Sequence, residues 1–246
     1  MKKLLNVSSS PHFRHPDTTQ GIMLDVIIAL LPATVFGCVI FGWRAALVVA
    51  VSVASAVIFE FLWNLIFKKQ QSVLDFSAVV TGLILGMNLP GTMPLWMVVI
   101  GNFIAIIIVK QFFGGIGHNF ANPAITARIA LMVSFPAAMT AYAIPFSAAD
   151  TVTSATPLAA IYGDAASTVT VKEAFFGLQS GCIGETSAFL LIVGGLYLIL
   201  RRVINPVIPL SFIGTVALAS LITGQNVGLC KFRFFRHCVF SVCCDV

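Results

Sequence analysis

A polar nonapeptide, DTVTSATPL at residues 150–158, carries a hydroxyl group placed for phosphate chemistry. Thr156 is suited to cap a helix, and Pro157 is suited to its first position, where no backbone N–H is required. The unpaired N–H groups and the positive dipole end of such a helix favour a phosphate ester. In the simpler interpretation, Thr-Pro is an ordinary loop-to-helix junction, because short motifs of this kind often arise by chance.

A second candidate site is the glycine-rich segment GGIGHNFANPA, residues 114–124, which contains His118, Asn119 and Asn122. Asparagine amides both donate and accept hydrogen bonds, which suits the edge of a flavin or a similar heterocycle. Glycines let the backbone approach a flat ring closely. In the simpler interpretation, Asn122 caps the helix that starts at Pro123, Asn119 satisfies loose backbone groups, and His118 is only a hydrogen-bonding side chain.

Polar side chains also occur within the apolar segments. Glu60 and Asn64 are four residues apart and share one helix face, where they can bind a cation, relay protons or form an interhelical hydrogen bond. Asp25 lies near a membrane boundary and Asp75 precedes an apolar run as its N-cap, so both are predicted to be structural. The charged or amide residues singled out within the segments are Asp25, Glu60, Asn64, Asn88, Asn102 and Arg128.

The composition requires a membrane setting for these residues. The chain is 59% hydrophobic and 9% charged, whereas a soluble domain carries about 25% charged residues. Long apolar runs that repeat along the chain predict an all-α, polytopic transmembrane helical bundle. The net charge of +5 is interpreted as a topology signal and not as a nucleic-acid footprint. No hydrolase elbow, phosphate-binding loop or CxxC pair appears, so redox chemistry requires a bound cofactor or a partner.

Seven membrane segments are predicted, and several are irregular. Phe76–Leu89 and Thr186–Leu200 are short for a span of about 20 residues. Phe76–Leu89 also contains Gly82 and Gly86, a pair suited to close helix contact. Polar, glycine-rich backbone before the fifth segment predicts broken or re-entrant helices. The segments are Ile22–Phe41, Ala45–Phe67, Phe76–Leu89, Leu95–Phe113, Pro123–Met139, Thr186–Leu200 and Val203–Thr223.

Basic residues orient this bundle. With the N-terminus inside and Arg128 uncounted, the outside receives only Arg44 and Lys172 before the tail, whose Lys231, Arg233 and Arg236 also fall outside, against the bias. Because basic residues concentrate on the cytoplasmic side, the N-terminus is predicted to be cytoplasmic and the Thr156 loop extracytoplasmic. The inside receives Lys2, Lys3, Arg14, Lys68, Lys69, Lys110, Arg201 and Arg202.

Two further patterns concern the organisation of the chain. FANPAI at residues 120–125 is similar to INPVIP at residues 204–209, which indicates an internal repeat of the kind found in membrane bundles. Residues 1–228 are predicted to form the membrane domain. Residues 229–246 mix basic, aromatic and cysteine residues without periodicity and are interpreted either as an unnatural, frameshifted or truncated ending or as a genuine cysteine-bearing tail.

The motifs in combination resemble a known family. GGIGHNFANPAITARIAL, FPAAMT and DTVTSATPL, together with SSSPHFRHPDTT, LDFSAVVTGLILGMNLP and RRVINPVIPLSFIGT, are similar to the NqrB/RnfD family. That family includes the D subunit of the Rnf electron-transport complex and the B subunit of the sodium-translocating NADH:quinone reductase. The resemblance covers roughly residues 7 to 228, and the short N-terminal region favours the Rnf subunit.

The resemblance implies a covalent flavin. In the family, FMN is attached through its phosphate to a threonine, and the matching stretch here is Thr153–Thr156, which makes Thr156 the attachment residue. Ser154 stands where the common motif has glycine, which bears on access by a flavin transferase. A second, non-covalent flavin, such as riboflavin, is implied near the broken helix, with Asn119 and Asn122 as candidates.

The resemblance also implies a function and a location. The chain would be a membrane subunit of an ion-translocating ferredoxin:NAD oxidoreductase in the bacterial cytoplasmic (inner) membrane. It would relay electrons coupled to Na⁺ or H⁺ transport, without being catalytic alone. Its partners would be the other Rnf subunits, a flavin transferase and membrane lipid. The alternatives are a channel or secondary transporter subunit without a flavin, and a structural membrane subunit that binds no cofactor.

Overall fold

The structure is a computed structural model of the chain. It describes residues 18–68, 73–115, 117–119, 121–143, 153–154, 177, 180–185, 187–207, 209–211 and 214–215. These residues are mostly helical, with one pair of two-residue strands. The two longest helices are long and apolar enough to cross a membrane by length and composition, and four shorter apolar helices accompany them.

The first two helices follow closely on one another. Helix α1, Thr19–Phe41, begins where the Thr18 hydroxyl accepts a hydrogen bond from the Gly21 N–H, and it contains Pro32. Helix α2 comprises Trp43–Ile66. Gly42 separates them with a φ of 79°, a left-handed conformation that glycine adopts without a steric penalty.

The remaining described helices match the predicted segments with two differences. Helices α3 (Ser77–Asn88), α4 (Leu95–Phe103), α5 (Pro123–Ser134), α6 (Pro136–Thr140) and α7 (Ala188–Leu200) follow in order. The fourth segment changes after α4 into a π-helix at Ile104–Gln111, a form often found at functional sites. The fifth breaks at Phe135, since Pro136 cannot continue α5. The seventh segment lies largely outside the described residues, as does the 229–246 tail.

The predicted cap at Asp75 is wrong. Asp75 ends a short 3₁₀ turn, Val73–Asp75, and does not cap α3. The residue before α3 is Phe76, which has a left-handed φ of 57° and no side-chain hydrogen bond to the helix. The chain needs that reversal to pass from the 3₁₀ turn into α3, so its geometry displaces the aspartate from the capping position.

Small residues bring α2 and α3 into close contact, as the Gly82–Gly86 pair predicts. A Cβ at Gly82 would lie 2.9 Å from the Ala56 Cβ and 2.9 Å from the Ser52 carbonyl oxygen. The Ser52 hydroxyl donates a 2.6 Å hydrogen bond to the Gly82 carbonyl oxygen across the same contact. The close approach permits this bond, and both features hold the two helices together.

Replacing Gly82 by alanine is expected to destabilise the fold by about 1–3 kcal/mol, because the added methyl group forces α2 and α3 apart. Gly21→Ala is the matched control, since a Cβ there meets only the Thr18 hydroxyl, at 3.4 Å. Thermal unfolding in detergent should show a lower midpoint for Gly82→Ala alone. Equal midpoints for the two variants would show that the α2–α3 contact tolerates a methyl group.

A second 3₁₀ turn, Ile183–Glu185, is buried within the helices. The Ile183 N–H donates to the Leu89 carbonyl at the end of α3, at 3.2 Å. Gly37 in α1 packs directly on the Ile183 carbonyl, and Gly184 packs on Met87, so neither position has room for a side chain. The turn therefore links α1, α3 and the start of α7 in one core.

Candidate functional site

A short ribbon places part of the flavin-attachment motif. Strand β1, Tyr142–Ala143, pairs antiparallel with strand β2, Thr153–Ser154, so that Tyr142 lies opposite Ser154. The Thr92 hydroxyl, in the turn between α3 and α4, donates to the Ala141 carbonyl and fixes the start of β1. Thr156, the predicted attachment residue, lies outside the described residues.

A polar cluster, which we call the outer cluster, comprises Asn88, Arg128, Tyr142, Cys182 and Glu185. The Arg128 guanidinium donates a 2.7 Å hydrogen bond to the Asn88 side-chain oxygen and a 3.6 Å bond to the Cys182 sulfur. It lies 3.9 Å from the Glu185 carboxylate. Tyr142 belongs to the cluster because Cys182, Glu185 and Arg128 all act on the pKa of its phenol. The cluster thus joins β1 to α3, α5 and the buried 3₁₀ turn.

The phenol of Tyr142 is partly shielded from water at this point. Burial raises the pKa of Tyr142 to about 12, and the hydrogen bond to Cys182 and the negative charge of Glu185 act in the same direction. The positive charge of Arg128 acts in the opposite direction and lowers the pKa of Tyr142. Tyr142 therefore serves as a neutral hydrogen-bond donor.

The pKa of Tyr142 predicts a specific pH dependence. Between pH 10 and about 12 an unfolded chain loses this proton before the folded chain does. Tyr142 therefore lowers the stability of the folded state as the pH rises through that window. The difference in phenolate absorbance between wild type and Tyr142→Phe should stay small at pH 10.5. A full phenolate difference at that pH would contradict the burial of Tyr142.

The glycine-rich break has an irregular backbone, as predicted. Gly114, Gly115 and Gly117 have φ values of 113°, 99° and 83°, which L residues rarely adopt. His118 packs over Gly114 and is exposed. Three buried side-chain polar atoms lack a hydrogen-bond partner among the residues that the structure describes, and Asn119 Oδ1 is one of them. A buried acceptor of this kind fits a ligand that donates an N–H, as the flavin ring does.

Asn122 has the capping role of the simpler interpretation. Its side-chain oxygen accepts hydrogen bonds from the N–H groups of Ala124 and Ile125, at 3.1 and 3.4 Å. Pro123 occupies the first helical position. These bonds fix the start of α5, so Asn122 positions the break whether or not it also contacts a flavin.

The buried carboxylate of Glu60 pairs with Lys110. Lys110 Nζ lies 3.0 Å from both carboxylate oxygens of Glu60 and donates a 2.6 Å bond to the Ser77 hydroxyl. The side chains of Lys110 and Glu60 are 3% and 1% exposed. Lys110, which the charge pattern assigns to the inner side, therefore lies in the π-helix and is buried against Glu60.

Asp25 is structural, as expected. Its carboxylate accepts hydrogen bonds from the Tyr197 hydroxyl at 2.9 Å and from Arg201 Nε at 3.2 Å, and so joins α1 to α7. Near the middle of the helices, Asn102 donates to the Ser52 hydroxyl at 3.0 Å and thereby links α4 to α2. Both sets are interhelical ties of the kind that polar residues form inside membrane proteins.

The sequence matches a known family and several known proteins. The profile of the NQR2, RnfD, RnfE family matches residues 6–243. That range extends beyond residue 228, and the division of the chain there stays a prediction. The D subunit of the Na(+)-translocating ferredoxin:NAD(+) oxidoreductase complex of Acetobacterium woodii is 47% identical over 226 residues, which cover 90% of this chain and 70% of the relative.

Two other relatives have similar coverage. The D subunit of the proton-translocating ferredoxin:NAD(+) oxidoreductase complex of Clostridium ljungdahlii is 42% identical, over 93% of this chain and 72% of the relative. The D subunit of the ion-translocating oxidoreductase complex of Rhodobacter capsulatus is 36% identical, over 87% of this chain and 68% of the relative. A profile that matches nearly the whole chain, with relatives at these identities, confirms the resemblance: the chain is a membrane protein of the NQR2, RnfD, RnfE family.

Proposed function

We propose that the chain is the D subunit of a ferredoxin:NAD⁺ oxidoreductase complex that couples electron transfer to ion transport. The observation that carries this proposal is its 47% identity to a D subunit of such a complex over 90% of the chain. One of these relatives is named as Na⁺-translocating and another as proton-translocating. Either ion fits the proposal. The chain acts as one subunit of the oxidoreductase and is not catalytic alone.

The proposed cofactor is FMN, joined through its phosphate to Thr156, with a second flavin such as riboflavin at the glycine-rich break. Bound FMN would accept electrons and pass them on. The role of the chain is to hold the flavin in place and exclude water from it. Thr156 would be an anchor, the β1–β2 ribbon would position it through Ser154, and Asn119 would accept a hydrogen bond from the second ring. His118 and Asn122 would be the other flavin-binding residues at the glycine-rich break.

The proposed setting is the bacterial cytoplasmic (inner) membrane, with several spans, a cytoplasmic N-terminus and an extracytoplasmic Thr156 loop. The basic residues of positions 1–228 support this orientation even without Lys110, since seven of the eight inner charges remain against Arg44 and Lys172. An internal repeat, suggested by FANPAI and INPVIP, is part of the proposal. The proposed partners are the other Rnf subunits, a flavin transferase and membrane lipid.

Dependence on the flavin transferase tests the proposal. The chain is produced with its complex in cells that contain or lack a flavin transferase, and the denatured subunits are separated on a gel. We expect ultraviolet fluorescence from this chain only when the transferase is present, because only a covalent flavin survives denaturation. An assembled complex whose chain never fluoresces would instead favour a channel or transporter subunit without a covalent flavin.

A further inference from the structure

A group of aromatic side chains lies where the end of α2 meets the end of the π-helix. The Trp63 indole packs on the Phe67 ring, with 4.1 Å between the ring centroids. It meets the Phe112 ring edge to face, with 5.3 Å between the centroids. Lys68 follows Phe67 directly in the chain. We call Trp63, Phe67, Lys68 and Phe112 the Trp63 surface.

The indole of Trp63 carries a hydrogen-bond donor without an acceptor. Its Nε1 is one of the three buried side-chain atoms that lack a hydrogen-bond partner among the described residues. An indole N–H can only donate, and a buried tryptophan usually finds an acceptor for it. A donor left unpaired in an apolar setting is unfavourable. The Trp63 donor therefore points to a ligand that carries an oxygen acceptor.

The rings around this donor are open to the surroundings. Phe67 is 54% exposed and Phe112 is 66% exposed, so either ring can turn aside without disturbing a packed core. The ligand must therefore present apolar groups to these rings as well as an oxygen to the indole. In a membrane protein, the boundary region of a phospholipid does both, because its ester oxygens lie directly above its acyl chains.

Lys68 determines which phospholipid fits. Its side chain is exposed, and the ion pairs within the described part of the chain do not include it. The end of α2 carries a partial negative charge from the helix dipole, which by itself disfavours a phosphate. The Lys68 ammonium is the group at this end that reverses the sign. A lipid with a net negative headgroup is therefore the complement of the Trp63 surface, and its binding must depend on Lys68.

We propose that the Trp63 surface binds an anionic phospholipid. The phosphate lies at Lys68, an ester oxygen accepts the Trp63 N–H, and the acyl chains cover the two phenylalanine rings. The proposed orientation puts Lys68 on the cytoplasmic side, so the lipid belongs to that leaflet, whose anionic headgroups attract lysine side chains. The inference rests on the membrane setting and the orientation of the proposed function, and it does not require a flavin.

Brominated phospholipids test the site, because bromine quenches the fluorescence of a nearby indole. The full chain has three tryptophans, so Trp43→Phe with Trp96→Phe leaves Trp63 as the only one. This chain is reconstituted into phosphatidylcholine vesicles with increasing fractions of brominated phosphatidylglycerol, which is anionic, or brominated phosphatidylcholine, which is not. We expect half-maximal quenching of Trp63 at about fivefold less of the anionic lipid, as one lysine near a membrane surface provides.

Two charge variants of this single-tryptophan chain identify the cause. Lys68→Gln should bring the two quenching curves together, because it removes the group that binds the phosphate. Arg44→Gln is the matched control, since it also removes an exposed basic side chain from α2, at the opposite end of that helix. It should leave the preference of Trp63 for phosphatidylglycerol unchanged.

The assembled complex supplies a second measurement. Phosphatidylglycerol that stays bound through detergent purification is counted per complex by lipid mass spectrometry. The count should fall in Lys68→Gln and in Trp63→Phe, which lacks the indole N–H, and should stay at the wild-type level in Arg44→Gln and Trp43→Phe.

Three results would overturn the inference. Equal quenching of Trp63 by the two lipids, with Lys68 intact, would show only general contact with the bilayer. No quenching by either lipid would show that the indole does not reach lipid. An unchanged lipid count in the Lys68→Gln and Trp63→Phe complexes would show that a partner subunit covers the surface. A chain without covalent flavin would reject the proposed cofactor and leave all three measurements interpretable.

Discussion

Replacing Glu60 by alanine is expected to destabilise the chain by about 3–5 kcal/mol, because it leaves the Lys110 ammonium buried without its counter-charge. The Glu60 and Lys110 side chains are 1% and 3% exposed, so water cannot replace the lost carboxylate. Of the hydrogen bonds described for the Lys110 ammonium, only the 2.6 Å bond to the Ser77 hydroxyl would remain. The measurement is thermal unfolding of the purified chain in detergent.

Two further variants identify the cause. The double substitution Glu60→Leu with Lys110→Met removes both charges and fills the space with apolar groups. It should recover most of the lost stability, because isosteric replacement of a buried ion pair is often neutral or better. Asp25→Ala breaks a pair whose Arg201 side chain is 58% exposed and should cost about 1 kcal/mol or less. A Glu60→Ala protein as stable as Asp25→Ala would contradict the buried pair.

Replacing Thr156 by alanine is expected to abolish covalent flavin completely, because alanine has no hydroxyl to form the phosphate ester. The fold should survive, because Thr156 lies in a polar loop outside the predicted membrane segments. Thr156→Ser keeps a hydroxyl and should retain flavin, in reduced amount if the transferase requires the methyl group. In-gel fluorescence, normalised to the amount of chain in the membrane, measures the result.

Neighbouring hydroxyls supply the controls for Thr156. Thr153→Ala and Ser154→Ala each remove one hydroxyl from the same motif and should keep full fluorescence. Ser154→Gly restores the glycine that the family motif usually has, and it should match or exceed wild type if the transferase favours a small residue there. Fluorescence that persists in Thr156→Ala but disappears in Thr153→Ala would move the attachment residue to Thr153.

The helices could be predicted from the sequence because their signals are local. Apolar runs locate α1, α2 and α3 to within a few residues, and Pro123 after Asn122 indicates both the start of α5 and its cap. The π-helix could not be predicted in this way. Its apolar sequence also suits an α-helix, and the change after Phe103 lets Lys110 face Glu60.

Pairings between distant residues could not be predicted from the sequence. Glu60 and Lys110 are 50 positions apart, and Arg128 and Cys182 are 54 apart, so no helical spacing relates them. Helical spacing places Glu60 and Asn64 on the same face of α2. It does not indicate that Glu60 pairs with Lys110 on another helix. One signal does point to that partner: Lys110 follows an apolar run without a break, where a basic residue requires a buried acid.

The most direct test of the central claim is mass spectrometry of the peptide that contains Thr156. Trypsin cleaves after Arg128 and Lys172 and at no residue between them, so residues 129–172 form one peptide. In the wild-type chain from the assembled complex, this peptide should carry the mass of FMN less one water, and fragmentation should assign it to Thr156. An unmodified peptide in an active complex, or FMN on another residue, would contradict the claim.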